Sequence, residues 1–320
     1  LMKAILIGVL GALFFSFTFI LNHVMSNNSG SWMFSASLRY IFMFPLLLIF
    51  VAIHQRHRHV HRHIRQNLGA WIIWSTFGFV CFYVPITFVA DYSPGWLISS
   101  TWQLTIICGL LLAPLFYEQV NYRNQTILIR ERISWRSVAI SSIMIVGVIL
   151  VQIPNATSIK FTTFLLSVVP LVIAGFCYPL GNRKMMVLVD NQLSTFERIY
   201  GMTLVTLPIW LVIFVLGVSS HGLPSPSQTL QSFIVAIFSG IIATFLFFYA
   251  TNLVKHNQAK LAAVESTQAM EIVFTLIGEM LLLGIALPTP LSIIGIIIIM
   301  FGIIIYSMSN GLIQEKQADS

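Results

Sequence analysis

The residues best suited to chemistry are three carboxylates set in an apolar stretch long enough to cross a bilayer. Lys260 to Leu283 reads KLAAVESTQAMEIVFTLIGEMLLL and carries Glu265, Glu271 and Glu279. On a helix, successive residues lie about 100° apart. Thr267, Gly278, Glu271, Thr275, Gln268, Glu279 and Glu265 then share an arc of roughly 160°, and the remaining surface is Ala, Leu, Ile, Val, Met and Phe. A carboxylate facing lipid is costly, so such groups turn toward a bundle interior or a wet cavity. The stretch reads as one wall of an internal polar chamber. Glu271 and Glu265 are the candidate proton-coupling groups, because burial disfavours the charged form of a carboxyl and brings proton exchange toward neutral pH. The competing reading is a fixed salt bridge with Arg39 or Lys260, or a place for Glu265 at the cytoplasmic interface near Lys260.

Other polar groups inside apolar segments are candidates for binding a substrate. Trp102, Gln103 and Thr105 lie together in SSTWQLT, and Gln268 lies beside the acids. Trp102 offers a ring for a planar or cationic compound, and the two glutamines need hydrogen-bond partners if buried. Asn22, Tyr83, Tyr178 and Tyr249 extend the set. Arg39, in SLRYIFMF, offers a ligand for a carboxylate or phosphate. It also suits pairing with an intramembrane glutamate, the role taken first here, or snorkelling outward.

These side chains must be positioned by membrane helices. The chain has 320 residues, 57% hydrophobic and 8% charged, against about 25% charged in soluble domains. That excess of apolar surface excludes a soluble fold. The net charge of +7 does not point to nucleic acid, because the basic residues are spread through short loops. Cys81, Cys108 and Cys177 lie inside apolar segments without metal-ligand spacing, so neither disulfides nor zinc are expected. No P-loop, dinucleotide-binding turn, HExxH or nucleophile elbow occurs, which argues against an ATP-driven or enzymatic chain and against a cofactor. In HQRHRHVHRHIR, His54 to Arg65, the histidines alternate with arginines that repel a cation; this is read as a basic loop at the cytoplasmic leaflet, not a metal site.

Apolar spans run Met2–Asn22, Trp32–Ile53, Gly69–Ala90, Leu97–Phe116, Trp135–Ile153, Thr162–Met186, Phe196–Val218, Leu230–Val254, Leu261–Gly284 and Leu291–Ser309. The first is read as a membrane helix, not a cleaved signal peptide. Arginine and lysine crowd alternate loops, and the opposite set holds only Lys160. The expectation is a multi-pass plasma-membrane protein with both termini cytoplasmic.

An internal repeat is visible. Phe82–Thr101, FYVPITFVADYSPGWLISST, aligns without gaps to Phe248–Thr267, FYATNLVKHNQAKLAAVEST. Asn22-His23 closes the first span and Asn182-Arg183 the sixth; Arg39 and Arg198 lie early in the second and seventh. Glu131 with Gly147, and Glu279 with Gly295, recur sixteen residues apart. Five spans duplicated with an odd count must be inverted, the architecture of secondary transporters. The expected fold is therefore all-α, ten transmembrane helices in two inverted five-helix repeats, residues 1–158 and 159–311, followed by a cytoplasmic tail, 312–320.

With that frame, the chain resembles the drug/metabolite transporter superfamily, closest to its ten-helix EamA-type, multidrug-efflux-like branch. The resemblance covers nearly the whole chain. It is clearest over Glu265–Tyr306, ESTQAMEIVFTLIGEMLLLGIALPTPLSIIGIIIIMFGIIIY, through Gly278-Glu279, the short turn and the pair Gly295 and Gly302. It implies a single-chain transporter of small metabolites or drugs, often driven by proton exchange, and makes Glu279 a structural position capping the turn to the last helix. The small four-helix relatives carry an essential glutamate in their first helix; here Ala4–Leu21 has no acid, so a coupling carboxylate must lie elsewhere. The combined expectation is a proton-coupled exporter of a small organic compound working by alternating access, as a monomer or homodimer. The alternative is an uncoupled exchanger or importer of a metabolite such as an amino acid, vitamin or nucleotide precursor.

Overall fold

The computed structural model describes residues 1–122, 125–190, 192–254, 264 and 266–318. Among them, nine helices are long and apolar enough to cross a membrane. They are α1 (Met2–Asn27), α2 (Trp32–Ile53), α4 (Leu68–Val89), α6 (Trp135–Ser158), α7 (Phe161–Val189), α8 (Thr195–His221), α9 (Pro226–Phe247, helical on to Asn252), α10 (Ser266–Leu283) and α11 (Pro290–Ala318). A shorter apolar helix, α5 (Gly95–Leu111), stands where the fourth span was expected. It breaks at Gln103–Leu104 and ends before a 3-10 turn, Ala113–Leu115, that contains Pro114. A proline ring disfavours helical backbone in the residue before it, which shortens this span.

The ends follow local chemistry. The Ser31 hydroxyl accepts the Met33 N–H at 3.3 Å and starts α2. Ser194 and Glu197 form a reciprocal capping box at the start of α8. Gly284, at φ +62°, closes α10 in the left-handed region that glycine adopts without strain. Pro85, Pro170, Pro179 and Pro208 do not interrupt their helices, and α6 runs through Pro154 to Ser158, past the span's expected end at Ile153. Freed backbone groups in such helices are satisfied by neighbours and local adjustment.

Two segments depart from the all-α expectation of helices joined by simple loops. Tyr117–Tyr122 and Gln125–Arg130 pair as an antiparallel hairpin, Tyr117 opposite Arg130. The histidine-rich run is an amphipathic helix, α3 (His57–Gln66), not a loop. Val60 and Ile64, four residues apart, bury one face with His63 between them. The Trp71 indole N–H donates to His63 Nδ1 at 3.1 Å, His61 Nε2 lies 2.9 Å from the Tyr200 hydroxyl, and Arg56 pairs with Glu197 at 2.5 Å. Burial, then the neighbouring His59, holds His63 below the ordinary histidine range. His61 is held down by burial, then by His57 and Arg65.

The spans pack in a definite pattern. α1 lies against α9 and α10; α7 lies against α4 and α5; α2 packs on α8, and α6 on α11. Small residues permit the close crossings, as membrane helices require. A Cβ on Gly181 would stand 2.2 Å from the Gly78 backbone. Both α4 and α9 contain a π-helical segment, Thr76–Val80 and Ala236–Ala243, a geometry often found beside functional sites.

Candidate functional site

Arg39 is 7% exposed and lies on α2 between α1 and α4. Its Nη1 donates to the Thr18 hydroxyl at 3.0 Å, and Thr18 is hydrogen-bonded to Ser239 of α9. The guanidinium stands 4.3 Å from the ring centre of Tyr83, within cation–π range. Asn22 donates from Nδ2 to the Tyr83 hydroxyl at 3.3 Å. The expected ion pair between Arg39 and an intramembrane glutamate is absent among the described residues. Choice of a charged partner is a tertiary matter that spacing along one helix does not encode.

Tyr83 is followed in space by an aromatic wall. Phe82 of α4, Trp102 of α5 and Tyr178 of α7 meet with ring centres 5.1, 4.6 and 5.5 Å apart. Behind Tyr83, Tyr40 stacks flat on Trp210 at 4.3 Å, and Trp210 donates to the Thr206 hydroxyl. Tyr178 remains 38% exposed beside these rings. It stands within electrostatic range of Arg198, Glu271 and Arg39.

Glu271 is 7% exposed at the first turn of the α-helical part of α10. No hydrogen bond or ion pair joins its carboxylate to the described residues. Eight residues on, Glu279 is fully buried and engaged on every side. Its oxygens accept the N–H groups of Gly95 at 2.6 Å and Trp96 at 2.9 Å, and His23 Nδ1 lies 2.5 Å away. It thus caps the start of α5 and ties in α1; the turn to α11 is not what it caps. Glycine is required at position 95, where a Cβ would lie 2.5 Å from the Phe19 carbonyl oxygen and 2.8 Å from Glu279.

The structure therefore brings together Asn22, Arg39, Tyr83, Trp102 and Tyr178, with Glu271 in range. It does not bring in the rest. Gln103 is buried and donates to its own helix at Ser99, and the Thr105 hydroxyl is spent on the Gly175 carbonyl of α7. Gln268 is half-buried in the 3-10 turn that opens α10. Tyr249, 40% exposed, stacks on Phe245 and makes no described contact with the aromatic wall. Glu265 lies outside the described residues. Sequence reading missed Thr18, Ser239, Tyr40, Trp210 and Phe82. Only Thr18 left a signal: it sits one turn from Asn22 on the same face of α1.

The model of the EmrE family, described as "Putative multidrug resistance efflux transporter", matches residues 2–311. The chain belongs to this family. The EmrE-family match makes the protein a multi-pass membrane protein of efflux-transporter type, within the drug/metabolite transporter superfamily. "Uncharacterized protein YjlA" of Bacillus subtilis (strain 168) is 48% identical over 309 residues, 97% of this chain and 95% of that protein. An "Uncharacterized 42.1 kDa protein in intracellular alkaline protease 3'region" of Shouchella clausii is 49% identical over 270 residues, 84% of this chain and 70% of that one. A solved structure described as "Crystal structure of protein" shares the fold, with a TM-score of 0.63 over 99% of each chain at 14% identity.

Proposed function

We propose that this EmrE-family protein is a secondary-active, proton-coupled exporter of a small organic compound. It works by alternating access between two inverted five-helix repeats, residues 1–158 and 159–311, with residues 312–320 as a tail. The packing supports the repeat. Replacing each span by its counterpart five spans on converts α1–α9 into α7–α4 and α1–α10 into α7–α5, and leaves α2–α8 and α6–α11 unchanged. A two-fold relation also makes its central contact reciprocal. A Cβ on Gly147 would approach the Gly295 carbonyl oxygen to 2.8 Å, and one on Gly295 the Gly147 carbonyl oxygen to 2.6 Å. The crowding of basic residues into alternate loops supports cytoplasmic termini in a plasma membrane.

The observation that carries the reading is Glu271: a buried carboxylate within electrostatic range of Tyr178 in the aromatic wall, with no hydrogen-bond or ion-pair partner among the described residues. A paired acid is locked in one protonation state, whereas an unpaired one in a chamber open to each side in turn is free to take up and release a proton. Protonation then biases which side opens. Trp102, Tyr178, Tyr83, Asn22 and Arg39 form the substrate side, and Glu265 remains a second proton-coupling candidate. The test is Glu271→Gln in proteoliposomes under an imposed pH gradient. The variant is expected to fold and to lose gradient-driven transport; undiminished transport that still follows the gradient contradicts the assignment.

A further inference from the structure

Among the described residues around the aromatic wall, fixed positive charge exceeds fixed negative charge, and this bears on the ligand. Arg39 is buried, has only the neutral Thr18 hydroxyl and Tyr83 as described partners, and keeps an Nε that is buried without any partner. Arg198, one turn into α8, also has a buried Nε without a partner, and no acid pairs with it among the described residues. Both lie within electrostatic range of the same phenol, Tyr178, which Glu271 also reaches. Buried guanidinium groups are ordinarily paired, because taking one out of water costs far more than a neutral hydrogen bond returns. Among the described residues, two arginines and one carboxyl lie within electrostatic range of Tyr178. Their balance is positive even with Glu271 ionised, which disfavours a lipophilic cation.

The neighbouring polar atoms narrow the ligand further. Asn22 Oδ1 is buried with no donor, while its Nδ2 is held by the Tyr83 hydroxyl. Tyr83 also lies under the Arg39 guanidinium. A bare donor on Arg39 and a bare acceptor on Asn22 therefore flank one tyrosine. Phe82, Trp102 and Tyr178 add a flat aromatic wall next to it.

From these juxtapositions we infer that the compound carried is an organic anion: a carboxylate on a flat aromatic body that also bears a hydroxyl or amino group. Arg39 takes the carboxylate, the aromatic wall stacks on the ring, Asn22 accepts from the hydroxyl or amine, and Arg198, within electrostatic range of the same wall, adds to the positive field that favours an anion. Guanidinium suits this role because its planar fork matches a carboxylate. The inference rests on the transporter reading above and specifies its substrate class.

The test compares charge at constant shape on the unaltered protein. Binding of 4-hydroxybenzoate, anthranilate and indole-3-acetate to the purified full-length chain is measured beside the matching amides and tetraphenylphosphonium. At least one carboxylate is expected to bind about tenfold or more tightly than its amide. For that acid, Arg39→Gln weakens binding by a similar factor and Arg198→Gln by less, while Arg39→Lys restores part of the Arg39→Gln loss. If no carboxylate outbinds its amide, or if tetraphenylphosphonium binds tightest and is indifferent to Arg39→Gln, the anion assignment is overturned. Proton-driven transport of tetraphenylphosphonium in proteoliposomes would then leave the transporter reading standing. Failure of every probe to bind, and to cross under any gradient, contradicts both.

Discussion

Glu271 and Glu279 stand two turns apart on one helix and are both withdrawn from solvent, at 7% and 0% exposure. Glu279 accepts two backbone N–H groups at the start of α5 and lies against His23, so its charge is matched atom by atom. Glu271 touches no donor among the described residues. Depth alone therefore does not make an intramembrane acid functional; what its oxygens touch decides the role. A carboxylate capping a helix start is architecture, whereas one without a partner among the described residues is the candidate for proton exchange proposed above.

The largest stability effect should come from removing the cap. Glu279→Ala strands two buried N–H donors and is expected to cost about 3 kcal/mol, seen as a clear fall in melting temperature. An unchanged melting temperature would break the comparison. Gly95→Ala attacks the same cap from the other side, by crowding the Phe19 carbonyl and the Glu279 carboxylate, and should cost about 2 kcal/mol. Because both changes act on one contact, the double variant should lose less than the two losses added. Glu271→Gln breaks no described bond and should shift stability by less than about 1 kcal/mol; a loss as large as that of Glu279→Ala would mean that Glu271 also has a fixed partner.

The smallest effect concerns α3 and depends on pH. His63 and His61 are held below the ordinary value near 6.5, mainly by burial. Their folded form prefers the neutral ring, and His63 accepts the Trp71 N–H in that form. The stability they contribute is present above about pH 6.5 and is lost as pH falls through their lowered folded values. The melting temperature should thus fall modestly on acidification. His63→Phe should reduce that dependence, which a pH series of melting curves would show.

Much of this was legible in the residues. Ten apolar stretches, the alternation of basic loops and the paired glycines Gly147 and Gly295 follow from composition and spacing, and those glycines do meet at the α6–α11 crossing. That Glu279 is a structural position was also visible, through the family resemblance. What Glu279 holds was not, because its partners are 183, 184 and 256 residues away and no local period encodes them. The same applies to Arg39, whose expected acid gave way to Thr18, Tyr83 and an unmatched Nε. Charge density masked α3: the alternating His and Arg drew attention away from Val60 and Ile64, whose four-residue spacing marked the buried face.

The most direct test puts the two acids side by side. Glu271→Gln and Glu279→Gln are reconstituted together, and pH-gradient-driven transport per folded molecule is recorded with each melting temperature. The account predicts a Glu271→Gln protein that melts like the parent and is dead to the gradient. It predicts a Glu279→Gln protein that melts earlier yet still transports in response to the gradient. Gradient-driven transport that survives in Glu271→Gln and vanishes in Glu279→Gln would contradict it.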